Sequence, residues 1–121
     1  MEPSFKNLVV YKKAFALAMD IFEVSRSFPK VETYSLTDQI RRSSRSVAAC
    51  IAEAYRKRSY PAHYVSKTSD ADMENSETSV WLEFALSCKY INESKWKFLD
   101  EKVREIGKLL NHMIHHPQKY A

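Results

Sequence analysis

The chain has 121 residues, of which 45% are hydrophobic and 28% charged, with only one Gly and four Pro. This length predicts one domain, residues 1–121, with a real core, and the scarcity of turn residues argues against a β architecture. The formal net charge of +4 permits an anionic partner without requiring one.

The first predicted helix starts at residue 6 or 7 and ends at residue 27. Its apolar residues recur at steps of three and four, which places them on one face. We expect this stripe to face the core, and it consists of Leu8, Tyr11, Phe15, Ala18, Phe22 and Ser25, widened by Ala14, Ile21 and Phe28. Pro29 pushes the preceding residue out of the helical region and ends the helix.

The second predicted helix covers residues 36–59. Ser35 precedes it and can accept a hydrogen bond from a free backbone N–H, while Asp38 faces the positive helix end. Apolar and small residues again recur at helical spacing, at Leu36, Ile40, Ser43, Val47, Cys50, Ile51 and Ala54. The small side chains in this stripe predict a close approach by a neighbouring helix.

The third predicted helix covers residues 61–91, and the fourth ends near residue 115. The fourth has an unbroken apolar seam at Trp96, Leu99, Val103, Ile106, Leu110 and Met113. Gly107 lies within this helix at a cost of roughly 1 kcal/mol relative to Ala, which a close backbone contact would justify. Long helices joined by short links pack as antiparallel neighbours. The sequence therefore predicts an all-α fold, an antiparallel up-down-up-down four-helix bundle.

The second helix carries cations on the side away from its apolar stripe. We call this set the basic ridge; it consists of Arg41, Arg42, Arg45, Arg56, Lys57 and Arg58. Such a surface can neutralise the phosphates of a nucleic acid. The alternative is a solvated face with intrahelical ion pairs, in which Asp38 pairs with Arg41 or Arg42 and Glu53 pairs with Arg56 or Lys57.

No residue pattern indicates catalysis. Glu never precedes His by three residues, and nucleophile motifs and glycine-rich phosphate loops are missing from the sequence. His112 and His116 have a spacing that zinc can use, but the glutamate of a zinc protease motif is lacking. Carboxylates of the third helix form an acidic face, at Asp70, Asp72, Glu74 and Glu77. We expect a non-enzymatic protein without a metal or cofactor.

The two cysteines and the pattern of hydrophobic residues indicate the cellular compartment. Cys50 and Cys88 fall within helical patterns, which favours free thiols in a reducing compartment. Neither a signal peptide nor a membrane span is visible, so we expect a cytoplasmic protein that does not bind membranes.

Four aromatic side chains could stack on bases if they were exposed, although core packing is favoured for them, namely Tyr11, Tyr34, Trp81 and Trp96.

The chain resembles the four-helix-bundle family named for the intervening sequences of 23S ribosomal RNA. The resemblance covers nearly the whole chain and is most specific in residues 39–43 (Gln-Ile-Arg-Arg-Ser). Further matching stretches are residues 5–8, 11–14, 28–30, 34–37, 46–47, 51–54, 77–78, 81–83 and 90–91. The family usually has Gly where this chain has Ala54, so an early helix end there is not implied. The resemblance implies an antiparallel bundle and a ring-shaped homopentamer, without any catalytic residue.

Two hypotheses follow for function. The leading one is a non-enzymatic, oligomeric bundle that binds structured nucleic acid, RNA in particular, through the basic ridge. Its contacts would be salt-sensitive and weakly specific for sequence. The alternative is a protein-interaction or scaffold module without nucleic-acid binding, in which the basic ridge pairs with the acidic face of the next copy.

Overall fold

The computed structural model describes residues 4–120, which contain four α-helices and no β-strand. The helices are α1 (Val9–Ser25), α2 (Leu36–Arg56), α3 (Pro61–Ser87) and α4 (Glu93–His115). Three short 3₁₀ turns flank them, at Phe5–Asn7, Lys30–Glu32 and Pro117–Lys119. The prediction of an all-α chain with four helices is therefore confirmed.

The four helices are arranged so that each packs against its neighbours in the sequence. Within the described residues α1 also packs against α4, whereas the diagonal pairs α1 with α3 and α2 with α4 make no contact. Short connections reverse the chain direction each time, which produces the predicted antiparallel up-down-up-down bundle. The N-terminus of α1, the C-terminus of α2, the N-terminus of α3 and the C-terminus of α4 consequently lie at the same end.

The core register of α1 agrees with the prediction at Ala14, Ala18, Ile21 and Ser25 and differs at the remaining positions. The buried residues of this helix are Val10, Ala14, Leu17, Ala18, Ile21 and Ser25. Phe15, placed at the centre of the predicted stripe, is 52% exposed, and Met19 is 49% exposed. The helix is apolar on more than one side, so helical spacing alone could not decide between two candidate stripes. An apolar strip of α1 consequently remains at the surface.

The core seam of α4 agrees well with the prediction. Leu99, Val103, Ile106, Leu110 and Met113 are all buried, and the partly buried Trp96 packs against the core. Polar positions lie between the buried ones, so only one register of this helix buries an apolar face. The seam accordingly packs against both α1 and α3.

The N-terminus of α2 is capped differently from the prediction. The hydroxyl of Ser35 does not cap the helix. Instead, Glu32 Oε1 accepts hydrogen bonds from the Ser35 hydroxyl (2.5 Å) and from the backbone N–H of Leu36 (3.3 Å). A carboxylate at this position also faces the positive end of the helix dipole. The cap is therefore supplied by the preceding 3₁₀ turn.

The helix α3 ends at Ser87, four residues before the predicted end. The backbone N–H of Lys89 donates to the carbonyl of Leu86, and that of Tyr90 donates to the carbonyl of Ala85, both at 2.9 Å. Lys89 itself has a φ of 62°. These features define a Schellman-type termination, which usually places Gly at the left-handed position.

Polar side chains lie inside the bundle where α3 meets its neighbours. Thr78 Oγ1 and Ser43 Oγ share a hydrogen bond of 2.9 Å between α3 and α2, and Thr78 also donates to the carbonyl of Glu74. Asn75 Nδ2 donates to the carbonyl of Val103 at 2.9 Å. A Cβ added at Gly107 would lie 3.4 Å from this amide nitrogen. The group nearest to an added Cβ at Gly107 is thus a side chain of α3, and not the backbone that was predicted to lie close.

Candidate nucleic-acid interface

The six cations of the basic ridge lie in two groups along α2. Arg41, Arg42 and Arg45 occupy the N-terminal half, whereas the other three lie at its C-terminal end and in the turn that follows. Arg45 and Arg56 are separated by about 16 Å along the axis, at a rise of 1.5 Å per residue. Uncharged Ala49 and Ala52 lie between the groups, so the ridge is interrupted.

Arg41 lies at the edge of α2, against α1. Its Nε donates to Ser25 Oγ at 2.8 Å, and its guanidinium carbon lies 4.8 Å from the centre of the Phe22 ring. Arg45 lies over the same ring at 5.7 Å and is exposed. The helical spacing placed Arg41 on the open outer side, but its hydrogen bond and cation–π contact join α1 to α2.

The ion pairs near the basic ridge agree only partly with the prediction. Arg42 pairs with Asp38 at 4.0 Å, as the i, i+4 spacing indicates. Glu53 does not pair with Arg56 or Lys57 but with Lys67 of α3, at 3.1 Å. This inter-helix pair joins the C-terminal half of α2 to the N-terminal half of α3, and it leaves the cations at the end of α2 without that partner.

Aromatic rings accompany the cations at the C-terminal end of α2. Arg58 donates from Nη1 to the carbonyl of Tyr55 at 2.9 Å, and its guanidinium lies 4.0 Å from the centre of the Tyr55 ring. Lys57 lies 5.7 Å from the centre of the Tyr60 ring, which is 60% exposed. Each cation and its tyrosine are three residues apart, a spacing that is visible in the sequence. The sequence analysis nevertheless did not predict that these tyrosines contact the cations.

The acidic face of α3 lies beside α2 of the same chain. Asp70 is 3.9 Å from Lys67, which pairs with Glu53. Partial burial, together with the nearby charge of Glu77, raises the pKa of the Glu74 carboxyl, and Arg42 and a hydrogen bond from Ser46 oppose this effect. Part of the acidic face is therefore already engaged within one chain.

Two histidines of α4 and the turn that follows it, His112 and His116, contact each other, and His112 also contacts Tyr120 near the C-terminus. The rings of His112 and His116 stack with centres 4.2 Å apart, and His112 Nδ1 is hydrogen-bonded to the Tyr120 hydroxyl. Desolvation, helped by the charges of His116 and Lys119, lowers the pKa of His112. Across residues 4–120, His, Cys, Asp and Glu side chains form no group of three able to hold a metal ion.

The aromatic residues considered for base stacking differ in their environments. Trp81 and Trp96 are partly buried and pack against the core, and Tyr11 does the same. Tyr34 is 94% exposed, contrary to the favoured core interpretation. It follows the 3₁₀ turn Lys30–Glu32 and precedes α2, so helical periodicity carries no information about its exposure.

An apolar groove between α1 and α2 was not predicted. It encloses about 400 Å³ and is lined mainly by the aromatic and apolar strip of α1 and by small residues of α2, namely Phe5, Tyr11, Phe15, Ala18, Met19, Arg45, Ala48, Ala49 and Ala52. We call it the α1–α2 groove. A signal for it exists in the sequence, because the apolar stripe first assigned to the core of α1 includes three of these residues.

The fold and this surface define an antiparallel four-helix bundle in which the solvent-facing side of α2 is cationic. The chain belongs to the 23S rRNA-intervening sequence protein family, whose family model matches residues 6–112. It is similar to a crystal structure, at 1.70 Å resolution, of a protein with unknown function from the S23 ribosomal protein family of Bacteroides thetaiotaomicron VPI-5482. That match has a TM-score of 0.80 and 30% sequence identity, and it covers 88% of this chain and 98% of the other.

A comparison with curated proteins gave no match. None of the helices in residues 4–120 has the length and apolar character that crossing a bilayer requires.

Proposed function

We propose that this protein is a non-enzymatic, oligomeric binding module for structured nucleic acid, RNA in particular. The observation that carries the proposal is the state of Arg45, Arg56 and Lys57. All three are exposed, and none forms an ion pair with a carboxylate of the described residues. Cations in this state can bind phosphates without first breaking an intramolecular pair, and they release counterions from the nucleic acid.

The remaining members of the basic ridge have a smaller expected part in binding. Arg41 is held by Ser25 and Phe22, Arg42 is close to Asp38, and Arg58 is bound to the carbonyl of its own turn. Phosphate contacts of this kind position a nucleic acid without reading its sequence. We therefore expect salt-sensitive binding with weak sequence preference.

Fluorescence anisotropy over a salt series tests the proposal, with a structured RNA and a DNA duplex as ligands. The variant Arg45→Gln/Arg56→Gln/Lys57→Gln should weaken binding and lower the salt slope by about 2 to 3, since each lost phosphate contact contributes roughly 0.9 for a duplex. The matched control Lys30→Gln/Lys89→Gln/Lys97→Gln removes the same charge at other exposed positions. An equal loss in both variants, or no binding by the wild type at low salt, contradicts the proposal.

The α1–α2 groove favours a second function, self-association as a scaffold module. On α3, which is diagonal to α1, three exposed apolar residues share the outer face and form what we call the α3 strip: Met73, Val80 and Phe84, at 68%, 46% and 54% exposure. An exposed apolar groove and an exposed apolar strip at two different places on one molecule fit a head-to-tail contact between copies.

Charge supports the same contact. Arg45 borders the groove, whereas Glu77 and Asp70 flank the α3 strip on the next positions of the helix face. Head-to-tail contacts close into rings when the rotation between copies allows it. The family resemblance implies five copies.

Light scattering of Phe15→Ser, Met73→Ser and the control Phe98→Ser tests this second function. Phe98 is 47% exposed on α4 and lies outside both surfaces, so its replacement removes a comparable exposed aromatic ring. We expect a lower mass for the first two variants and an unchanged mass for the third. A monomeric wild type, or an unchanged mass in all three variants, excludes this contact.

A further inference from the structure

The topology brings three segments without carboxylates to one end of the bundle. These segments are residues 4–19, 54–69 and 106–120, and none contains Asp or Glu. They include the start of α1, the end of α2, the start of α3 and the end of α4. The up-down-up-down order places all four of these termini together. We call this region the basic end.

The basic end holds nine of the 19 Lys and Arg residues of the chain and all four histidines. The other ten Lys and Arg are distributed among all the Asp and Glu of the described residues. The net charge of +4 does not reveal this uneven pattern, because the acidic remainder of the chain offsets only part of the positive charge of the basic end. The bundle is therefore electrostatically polarised along its axis.

Few of the cations at the basic end are neutralised. Lys13 pairs with Glu105 at 2.5 Å and Lys67 with Glu53 at 3.1 Å, both with carboxylates just beyond the segments. Among the described residues, seven cations of this region form no ion pair: Lys6, Lys12, Arg56, Lys57, Arg58, Lys108 and Lys119. A polyanion that contacts residues 4–19, 54–69 or 106–120 meets no repelling side-chain carboxylate within those segments.

Aromatic rings lie among these cations. Tyr60 is 60% exposed beside Lys57, and its ring contacts that of His63 edge-on, with centres 6.3 Å apart. Tyr120 is 37% exposed and contacts His112 in the same manner at 5.7 Å. Exposed rings interleaved with cations are the arrangement on which unpaired bases stack while their phosphates are neutralised.

We propose that the basic end binds nucleic-acid strands with unpaired bases, with its cations on the phosphates and Tyr60 and Tyr120 on the bases. This inference rests on the proposed function and narrows it in two ways. It keeps Arg56 and Lys57 as contacts but places the principal contact at the end of the bundle and not at Arg45 on the side of α2. It also names single-stranded or loop segments as the ligand.

Fluorescence anisotropy with a single-stranded RNA, a single-stranded DNA of the same sequence and the corresponding duplex tests the inference. The end variant Arg56→Gln/Lys57→Gln/Lys119→Gln is compared with the side variant Arg41→Gln/Arg42→Gln/Arg45→Gln, which removes the same charge, and Tyr60→Leu probes stacking. Circular dichroism checks that each variant keeps its helices. Poly-glutamate is included as a polyanion without bases.

We expect the end variant to lower the salt slope for a single strand by about two, at roughly 0.7 for each lost phosphate contact. Tyr60→Leu should weaken single-strand binding on the order of tenfold and leave duplex binding unchanged. The side variant should have the smaller effect. Equal binding of RNA and DNA would indicate recognition of phosphate and base alone, whereas a preference for RNA would indicate added contacts to the 2′-hydroxyl; both outcomes support the inference.

Three results overturn the inference. A larger loss in the side variant than in the end variant leaves the proposed function standing and removes only the assignment to the basic end. Duplex or poly-glutamate binding as tight as single-strand binding removes the role of unpaired bases. No binding of any nucleic acid by the wild type at low salt removes both the inference and the proposed function.

Discussion

The hydroxyl of Tyr90 donates a hydrogen bond of 2.7 Å to Glu32 Oε2, across 58 positions of sequence. The other oxygen of the same carboxylate caps α2 through Ser35 and Leu36. One side chain therefore holds the N-terminus of α2 against the turn between α3 and α4. The bond raises the pKa of the Tyr90 hydroxyl to about 12, and the three donated hydrogen bonds lower the pKa of the Glu32 carboxyl.

This arrangement predicts an acid-sensitive contribution to stability. A carboxyl whose folded pKa is depressed stabilises the fold above its unfolded pKa of about 4.3, and the contribution is lost as the pH falls through the folded pKa. The wild type should be more stable than Glu32→Gln at pH 7, and the difference in free energy of unfolding should shrink toward pH 3. Urea unfolding at several pH values measures this. Tyr90→Phe should retain part of the pH dependence, and a difference independent of pH would contradict the assignment.

The left-handed backbone of Lys89 predicts a stabilising substitution. A residue with a side chain at φ 62° meets steric strain that glycine avoids. Relief of roughly 1–2 kcal/mol of left-handed strain, less the roughly 0.5–1 kcal/mol of extra backbone entropy that Gly loses on folding, should make Lys89→Gly more stable by about 0.5–1 kcal/mol. Lys89→Ala is the control, because it removes the long side chain but keeps the Cβ. If both variants gained equally in thermal or chemical denaturation, strain at this position would not be the cause.

The buried hydroxyl pair of Ser43 and Thr78 predicts a non-additive effect. Thr78 is fully buried, so Thr78→Val removes its hydrogen bonds and leaves the Ser43 hydroxyl poorly satisfied. We expect a loss of about 1–3 kcal/mol. The double variant Ser43→Ala/Thr78→Val should lose less than the two single losses added together. Denaturant unfolding of the complete cycle measures the coupling, and strict additivity would show that the pair does not act as a unit.

The imidazole of His112 at the basic end predicts pH-dependent binding of nucleic acid. Protonation gives this side chain a positive charge, so affinity for a phosphate strand should rise as the pH falls. The lowered pKa of His112 places this gain on the acidic side of the usual histidine range. Anisotropy titrations at constant ionic strength measure the effect. His112→Gln should flatten the dependence, and an equally steep dependence in that variant would exclude this residue.

The sequence predicts the bundle well where one helix face is unmistakable. In α4 the apolar residues form a single seam with polar residues between them, so only one register buries it. In α1 the exposed pair Phe15 and Met19 has the same four-residue spacing as the buried pair Leu17 and Ile21. Periodicity cannot choose between them, because the choice depends on which side α2 and α4 approach.

The candidate interface was harder to predict from the sequence. Helical spacing correctly placed Arg42 near Asp38, because both residues lie on one helix. It could not place Glu53 against Lys67 or Arg41 against Ser25, because those contacts join different helices. The basic end is likewise a product of the topology, which assembles three segments that are far apart along the chain.

The uneven placement of carboxylates gives the molecule a permanent electric dipole along the bundle axis. In the field of a polyanion such a body experiences a torque, so it turns during diffusion and arrives with the basic end leading. The association rate should then depend on ionic strength more strongly than a net charge of +4 implies. If copies were arranged side by side in parallel, their dipoles would add. The assembly would then have one positively charged face and one negatively charged face.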